Sequence, residues 1–390
     1  MRFRKLSRVM KTVDFASAAS LVIVLVSLAY PGNAQGQQTP SAGTVVSPRV
    51  KAFVGARWNT NSFPQGIAIV ADTKEPPTSR AAAMEVLHTN RRKLSVDEMR
   101  TLLSESTRLA KDDSLDETNS AFAVSVMANV ALTMRDQGQL SEAEFKPEVG
   151  FLMATATDAR RSFQLRSSAI SALGILKVAE SREALRAILT NSASANVAEI
   201  VRPVCLSLMR IDGQRAIPDL TSVLKTTSDV RIFGTAAFTL GQLKKPECVT
   251  VLVENIGRFP ASGACDAALV DMDDVIASTL KTPKDENLTA AVRASRYLWR
   301  EGQREIYTPL LRDLLSSAPL AARKAAAEQL LESASTLDFE SEKRELALVS
   351  AAIGSQAELQ EYQERIQNRL SAGMVAPNAA NAALPPSAIK

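Results

Sequence analysis

The chain has 390 residues, of which 46% are hydrophobic and only 5% aromatic, a composition typical of close-packed helices rather than of a β-sandwich. The first 34 residues hold five of the 46 basic residues and one of the 42 acidic ones, so the formal charge of +4 belongs to them and the remainder is neutral. A neutral chain has no global field that attracts nucleic acid or acidic lipid, so we expect neither as a partner.

The N-terminus has the layout of a secretory signal peptide. An apolar run from 15 to 30 follows a basic head, and small residues stand at Gly32 and Ala34 before a cleavage site. The run is shorter than the ~20 residues that a spanning helix needs. We expect cleavage after Ala34 and export to the periplasm or the extracellular space. An uncleaved segment is the alternative, and it would be the only link to a membrane.

The rest of the chain divides by composition. Residues 35–44 are small and polar and indicate a flexible linker. Residues 45–78 contain Pro64, Gly66, Pro76 and Pro77, so we expect an irregular arm, with a short strand at 66–71 as the alternative. Helical periodicity then predicts an α-solenoid over 79–371, and residues 372–390 have the composition of a disordered tail.

Helix starts are marked by local signals. The pattern Ser-x-x-Glu at Ser95, Ser141 and Ser355 predicts three capping boxes, and Ser181 is expected to cap a further helix. Pro246 stands where a helix begins, because its missing N–H is not needed there.

The centre of the chain repeats itself. Glu183, Arg215 and Glu247 occupy matching places, 32 residues apart, in the second helices of three helix pairs. The first helices cover 165–176, 201–211 and 233–243, and Gly174 stands where two helices approach closely. A period of this size is typical of a solenoid, since one helix pair cannot bury its own apolar face.

The pattern resembles the HEAT-like repeats of armadillo-type solenoids, including the short form of phycobilisome-lyase-like proteins. The segments that carry the resemblance are Leu165–Leu176 and Thr235–Leu243. It implies an all-α, right-handed α-solenoid of stacked helix pairs whose second helices line the concave side. It implies interaction surfaces rather than a reaction, because the motif specifies a fold shared by many functions.

Catalytic and metal-binding signatures are weak. His88 is the single histidine and has no partner at metal-ligand spacing, so we expect a surface or helix-end residue. The densest acidic group lacks the pattern of a calcium loop, and a solvated helix face is favoured over an ion or partner site. Its members are Asp266, Asp271, Asp273 and Asp274. We expect no metal and no cofactor, and a bridge between Cys248 and Cys265 stays open.

A charged row is the predicted binding surface. On a helical wheel Arg215 points away from the apolar stripe, and stacking is expected to align it with Glu183 and Glu247 as a Glu–Arg–Glu ladder. Asp219 and Glu254 follow on the same helices. We therefore predict an exported, non-enzymatic scaffold that holds a protein or peptide on its concave face. The alternatives are an enzyme that processes cell-wall material or polysaccharide with paired carboxylates, and a structural spacer.

Overall fold

The computed structural model describes residues 47–55, 62–113, 115–194, 197–300 and 302–372, and these contain helices and turns but no strand. The predictions for residues 1–34 and 35–44, and that for the tail beyond Ala372, lie outside the described residues. The helices belong to one compact unit that begins at Pro48.

The helices of the N-terminal half are α1 (Pro48–Gly55), α2 (Phe63–Ala71), α3 (Pro77–Thr89), α4 (Val96–Ala110), α5 (Glu117–Asp136), α6 (Glu142–Thr157), α7 (Phe163–Ile175), α8 (Arg182–Ser194) and α9 (Ala198–Asp212). Those of the C-terminal half are α10 (Ile217–Thr226), α11 (Val230–Leu243), α12 (Pro246–Asn255), α13 (Ala264–Asp271), α14 (Asp273–Leu280), α15 (Leu288–Arg300), α16 (Arg304–Ser317), α17 (Leu320–Ala334), α18 (Phe339–Ile353) and α19 (Gln360–Ala372).

The helices alternate between two layers. The odd-numbered helices from α3 to α19 each pack on the next odd-numbered helix, and the even-numbered helices from α6 to α18 form the second layer in the same way. Each layer therefore connects a helix pair to its neighbours, which is how repeats that cannot fold alone bury a continuous core. The predicted fold class, an all-α solenoid of stacked helix pairs, is confirmed.

Two first helices, α7 and α9, approach closely at Gly174, as the sequence predicts. A Cβ atom there would lie 2.3 Å from the Oγ atom of Ser207 and 2.6 Å from its Cα atom. The Ser207 hydroxyl donates a hydrogen bond of 2.8 Å to the carbonyl oxygen of Ile170, so it is satisfied inside the contact between α7 and α9. Glycine is required because the two backbones leave no room for a side chain.

The predicted irregular arm differs most from the structure. It contains α1 and α2, and the strand considered at 66–71 is helical. Pro64 lies in the first turn of α2, where no N–H is needed, so it starts a helix rather than breaking one. Gly66 admits the ring of Phe53, whose nearest carbon would lie 2.3 Å from a Cβ atom at that position.

Two predicted helix caps are also wrong. Ser181 ends a short 3-10 turn, is buried, and donates its hydroxyl to the carbonyl oxygen of Val178. Ser355 forms no capping box. A 3-10 turn, Ala357–Leu359, precedes α19, and the residue that flanks this turn at its N-terminal end is Gln356. The capping boxes at Ser95 and Ser141 are confirmed, and Pro246 starts α12 as predicted.

Candidate functional site

The predicted charged row lies at the starts of the second helices. Glu183 and Glu247 are each the second residue of a helix, α8 and α12. Arg215 lies instead in a 3-10 turn, Gly213–Ala216, because Pro218 sets the start of α10 two residues further along. The three positions are therefore equivalent in sequence but not in local structure.

The predicted Glu–Arg–Glu ladder does not form as a chain of ion pairs. Glu183 pairs with Arg186 on its own helix at 3.0 Å, and its side chain is 81% exposed. Glu247 accepts a hydrogen bond of 2.6 Å from the side-chain amide of Gln214. Arg215 is exposed, as the helical wheel predicts, and makes no ion pair with any described residue.

Other pairs join the neighbouring repeats here. Arg182 bonds Asp212 at 2.5 Å, and Arg186 bonds Asp219 at 2.9 Å. The side chain of Asp212 is fully buried, so removal of Arg182 would leave a buried carboxylate without its closest cation. Asp219, predicted to bind a partner, is thus already engaged within the chain. The sequence separations of 30 and 33 residues, close to one period, are the feature from which these pairs could have been predicted.

Glu254, the last residue of the predicted charged row, lies near the end of α12. It lies 3.6 Å from Lys225 of α10, and about half of each side chain is exposed. An ion pair this exposed contributes only about 0.2–1 kcal/mol, so both groups are free to exchange their bond for one with another molecule. The surface therefore presents charges of both signs, of which Arg215 alone has no partner among the described residues.

The predicted acidic group does not converge on one point. The group is divided between two helices, because α13 ends at Asp271 and α14 starts at Asp273. Asp274 pairs with Lys244 at 3.1 Å, and the Tyr307 hydroxyl donates to the backbone carbonyl of Asp273. No group of histidine, cysteine and acidic residues able to hold a metal ion occurs in the described parts of the chain.

The pKa of Asp271 is raised above its ordinary value. Desolvation is the largest cause and the neighbouring Asp273 adds to it, while Lys244 acts in the opposite direction. The Asp271 side chain nevertheless keeps an exposed surface. The raised pKa therefore does not by itself indicate a catalytic acid.

Two carboxylates line a cavity of about 330 Å³ beside α14. Asp274 is held there by Lys244, as described above. Asp285 accepts a hydrogen bond of 2.7 Å from the backbone N–H of Asn287. Both carboxylates are thus engaged by groups of the chain itself.

The remaining candidates are buried groups. Burial lowers the pKa of His88 to about 4, and Arg91 adds to the effect. His88 is thus neutral near pH 7; it lies in the last turn of α3, as the sequence predicts, and is half-buried rather than exposed. The thiols of Cys205, Cys248 and Cys265 are buried and unbridged, and burial raises the pKa of each to about 12, which makes them inert.

Comparison with known proteins finds only a distant structural similarity. No protein-family model matches the chain, and no curated protein matches its sequence. Among solved structures the chain is similar to human deoxyhypusine hydroxylase in complex with glycerol, an all-helical HEAT-repeat protein. The match has 16% sequence identity and a TM-score of 0.27, and it covers 80% of this chain and 97% of that chain.

This comparison corrects one prediction. The sequence analysis predicted a protein without enzymatic activity, from the fold and from the missing catalytic motifs. We withdraw that prediction, since the matched helical protein is named as a hydroxylase. The likeness is too distant to transfer that activity, so it assigns no reaction to this chain.

The described helices also bear on membrane insertion. None of them is both long enough and apolar enough to cross a bilayer. The basic head and apolar run at the N-terminus lie outside the described residues.

Proposed function

We propose that the solenoid binds a protein or peptide partner along the charged row of its second helices, centred on Arg215. The observation that carries the proposal is the contrast among the arginines of this surface. Arg182 and Arg186 are used in bonds between repeats, whereas Arg215 is exposed and has no ion-pair partner among the described residues. A guanidinium of this kind is available for a carboxylate of another molecule.

The neighbouring charges fit the same role. Glu183 is mostly exposed and the pair of Lys225 and Glu254 is half-exposed, so the row offers acidic and basic groups one repeat apart. A partner segment with the opposite pattern would be selected by charge and would be drawn to this surface. The resemblance to HEAT-like repeats, which places the second helices on the concave side, supports the same surface.

The test is a charge reversal at Arg215. We expect Arg215→Glu to leave the melting temperature nearly unchanged, because no internal ion pair is lost, and to reduce capture of partners from an envelope fraction. Arg202→Glu is the matched control, since Arg202 is an exposed arginine on a first helix, α9, and likewise has no ion pair among the described residues. Equal capture by the wild type and Arg215→Glu would place the partner surface elsewhere.

We also propose that the protein is exported, with cleavage after Ala34. The support is the basic head, the short apolar run and the small residues that precede Gln35. N-terminal sequencing of the secreted chain tests this: a chain that still begins at Met1 and sediments with membranes would contradict it.

A further inference from the structure

The connection between α12 and α13 is built differently from its equivalents. Residues 227–229 suffice to join α10 to α11, whereas residues 256–263 join α12 to α13. Two short 3-10 turns fill the longer segment, and Gly263 ends it with a positive φ of 59°. Arg258 fixes the segment to the preceding repeat, because its guanidinium donates to the backbone carbonyl oxygens of Leu224 and Thr227.

This segment borders a partly open cavity of about 140 Å³, together with α11, α13 and α15. One wall is aromatic: the ring centroids of Phe233 and Phe259 lie 4.8 Å apart, and Tyr297 lines the cavity as well. An apolar cavity of about 150 Å³ is large enough to take up benzene. The cavity therefore has room for one ring or one branched aliphatic group.

Arg296 is the cationic residue of the cavity lining, which is partly polar and partly apolar. Arg296 lines the cavity, is half-buried, and lies over the ring of Tyr297 at 5.0 Å from its centroid. Its Nε atom is buried and has no hydrogen-bond acceptor among the described residues, nor does its guanidinium form an ion pair with any of them. A carboxylate in the cavity would give the guanidinium the charge-assisted hydrogen bonds that the described residues do not supply.

The other charged group in the lining limits what can enter. Asp266, in the first turn of α13, also borders the cavity but makes no ion pair with Arg296. Its carboxylate repels a ligand with a second negative charge and offers an acceptor to an N–H donor. Cys265 is part of the same lining, and because burial raises the pKa of its thiol to about 12, covalent chemistry there is disfavoured.

We propose that this cavity binds an apolar group carrying one carboxylate, with the carboxylate on Arg296 and the apolar group against Phe233 and Phe259. Two sources share this chemistry: a free aromatic or branched acid, and the C-terminal residue of a peptide, whose amide N–H would donate to Asp266. The site is formed by first helices and an inter-repeat segment, so it does not depend on the charged row of the second helices.

The experiment titrates the full chain with N-acetylphenylalanine, N-acetylphenylalaninamide and 3-phenylpropionate, followed by calorimetry or ligand-observed NMR. We expect the N-acetyl acid to bind about tenfold tighter than its amide, the effect of one charge-assisted contact. If N-acetylphenylalanine also binds more tightly than 3-phenylpropionate, the source of the ligand is a peptide C-terminus. If these two acids bind equally, the ligand is a small free acid. Equal affinity for acid and amide, or no saturable binding at millimolar acid, overturns the proposal.

Matched variants localise the site. Arg296→Gln should weaken acid binding about tenfold, whereas Arg293→Gln should leave it unchanged, because Arg293 lies one turn earlier on α15 and is exposed. Acid binding that survives Arg296→Gln overturns the assignment. Circular dichroism shows whether Arg296→Gln is folded. If this variant does not fold, the comparison of acid with amide on the wild type still tests whether the cavity binds a carboxylate.

Discussion

Several arginine side chains form hydrogen bonds that connect neighbouring repeats. Arg135 donates to the carbonyl oxygen of Leu176, Arg304 to that of Ser333 at 2.7 Å, and Arg369 to that of Leu331 at 3.0 Å. Each acceptor belongs to the last turn of a first helix or lies just beyond it; the carbonyls of Leu331 and Ser333 also accept the backbone N–H groups of Ser335 and Thr336. The arginines therefore add a bond from a neighbouring helix at each of these helix ends.

Gly174 gives a direct test of this spacing. We expect Gly174→Ala to destabilise the protein by about 1–3 kcal/mol, since the added methyl group would overlap Ser207 and force α7 away from α9. Chemical denaturation measures the change in the free energy of unfolding.

Gly150→Ala is the control for that variant. Gly150 is an exposed residue inside α6, and a Cβ atom there meets nothing within 4 Å. Alanine should therefore stabilise the helix by up to about 1 kcal/mol, through its better helix propensity alone. The same sign of change at both glycines would contradict a tight contact at Gly174.

Because burial lowers the pKa of His88, we expect the protein to lose stability in mild acid. The pKa of His88 in the folded chain, about 4, lies below the ordinary value of 6.5, so between these values the unfolded chain binds a proton that the folded chain does not. The histidine therefore causes no loss above pH 6.5, and stability falls as the pH drops from 6.5 towards 4. The expected loss between pH 7 and pH 5 is about 2 kcal/mol.

The comparison with His88→Gln isolates this effect, because carboxylates such as Glu105, whose pKa is raised by burial, titrate in both proteins. The free energy of unfolding should fall more steeply for the wild type between pH 7 and pH 5. Parallel pH profiles would rule out a neutral buried His88. As the chain has one histidine, its ring signal in NMR reports the folded-state pKa directly.

At the scale of single helices, the sequence predicted what is local and missed what is not. The boxes at Ser95 and Ser141 depend on residues three apart, and both form. At Ser355 the same pattern fails, because Gln356 is held instead by Arg323 and by the carbonyl oxygen of Leu315 on other helices. Tertiary bonds of this kind cannot be inferred from a local motif.

Serine-to-alanine changes measure this difference. We expect Ser95→Ala to cost about 1 kcal/mol, since Ser95 accepts from the N–H of Glu98 at the start of α4. Ser355→Ala should stay within about 0.5 kcal/mol, because no box is lost there. Urea denaturation of the two variants provides the comparison, and equal losses would mean that the box at α4 stabilises nothing.

In the candidate site too, local features could be predicted from the sequence and tertiary pairings could not. The outward direction of Arg215 follows from its place on the helical wheel, and the structure agrees. The pairing of its neighbours does not follow, because Pro218 delays α10 and long side chains choose partners one repeat away, as Arg186 does with Asp219. The cavity at Arg296 could not be predicted either, since it requires a segment that departs from the repeat.

At the scale of the whole described unit, each helix pair contacts mainly the pairs before and after it. The stability of such a stack is close to a sum of repeat and nearest-neighbour terms, so removing one end should leave the other end folded. A single globular core would behave differently, because its stabilising contacts cross the entire chain.

The most direct test of this architecture is a truncation after Gly257, which ends the chain just beyond α12. Stacked repeats predict a soluble fragment with a strong far-UV helical signal and a cooperative thermal transition, with fraying confined to the pair left without a neighbour. Complete loss of helicity in the fragment would contradict a solenoid and require one indivisible core.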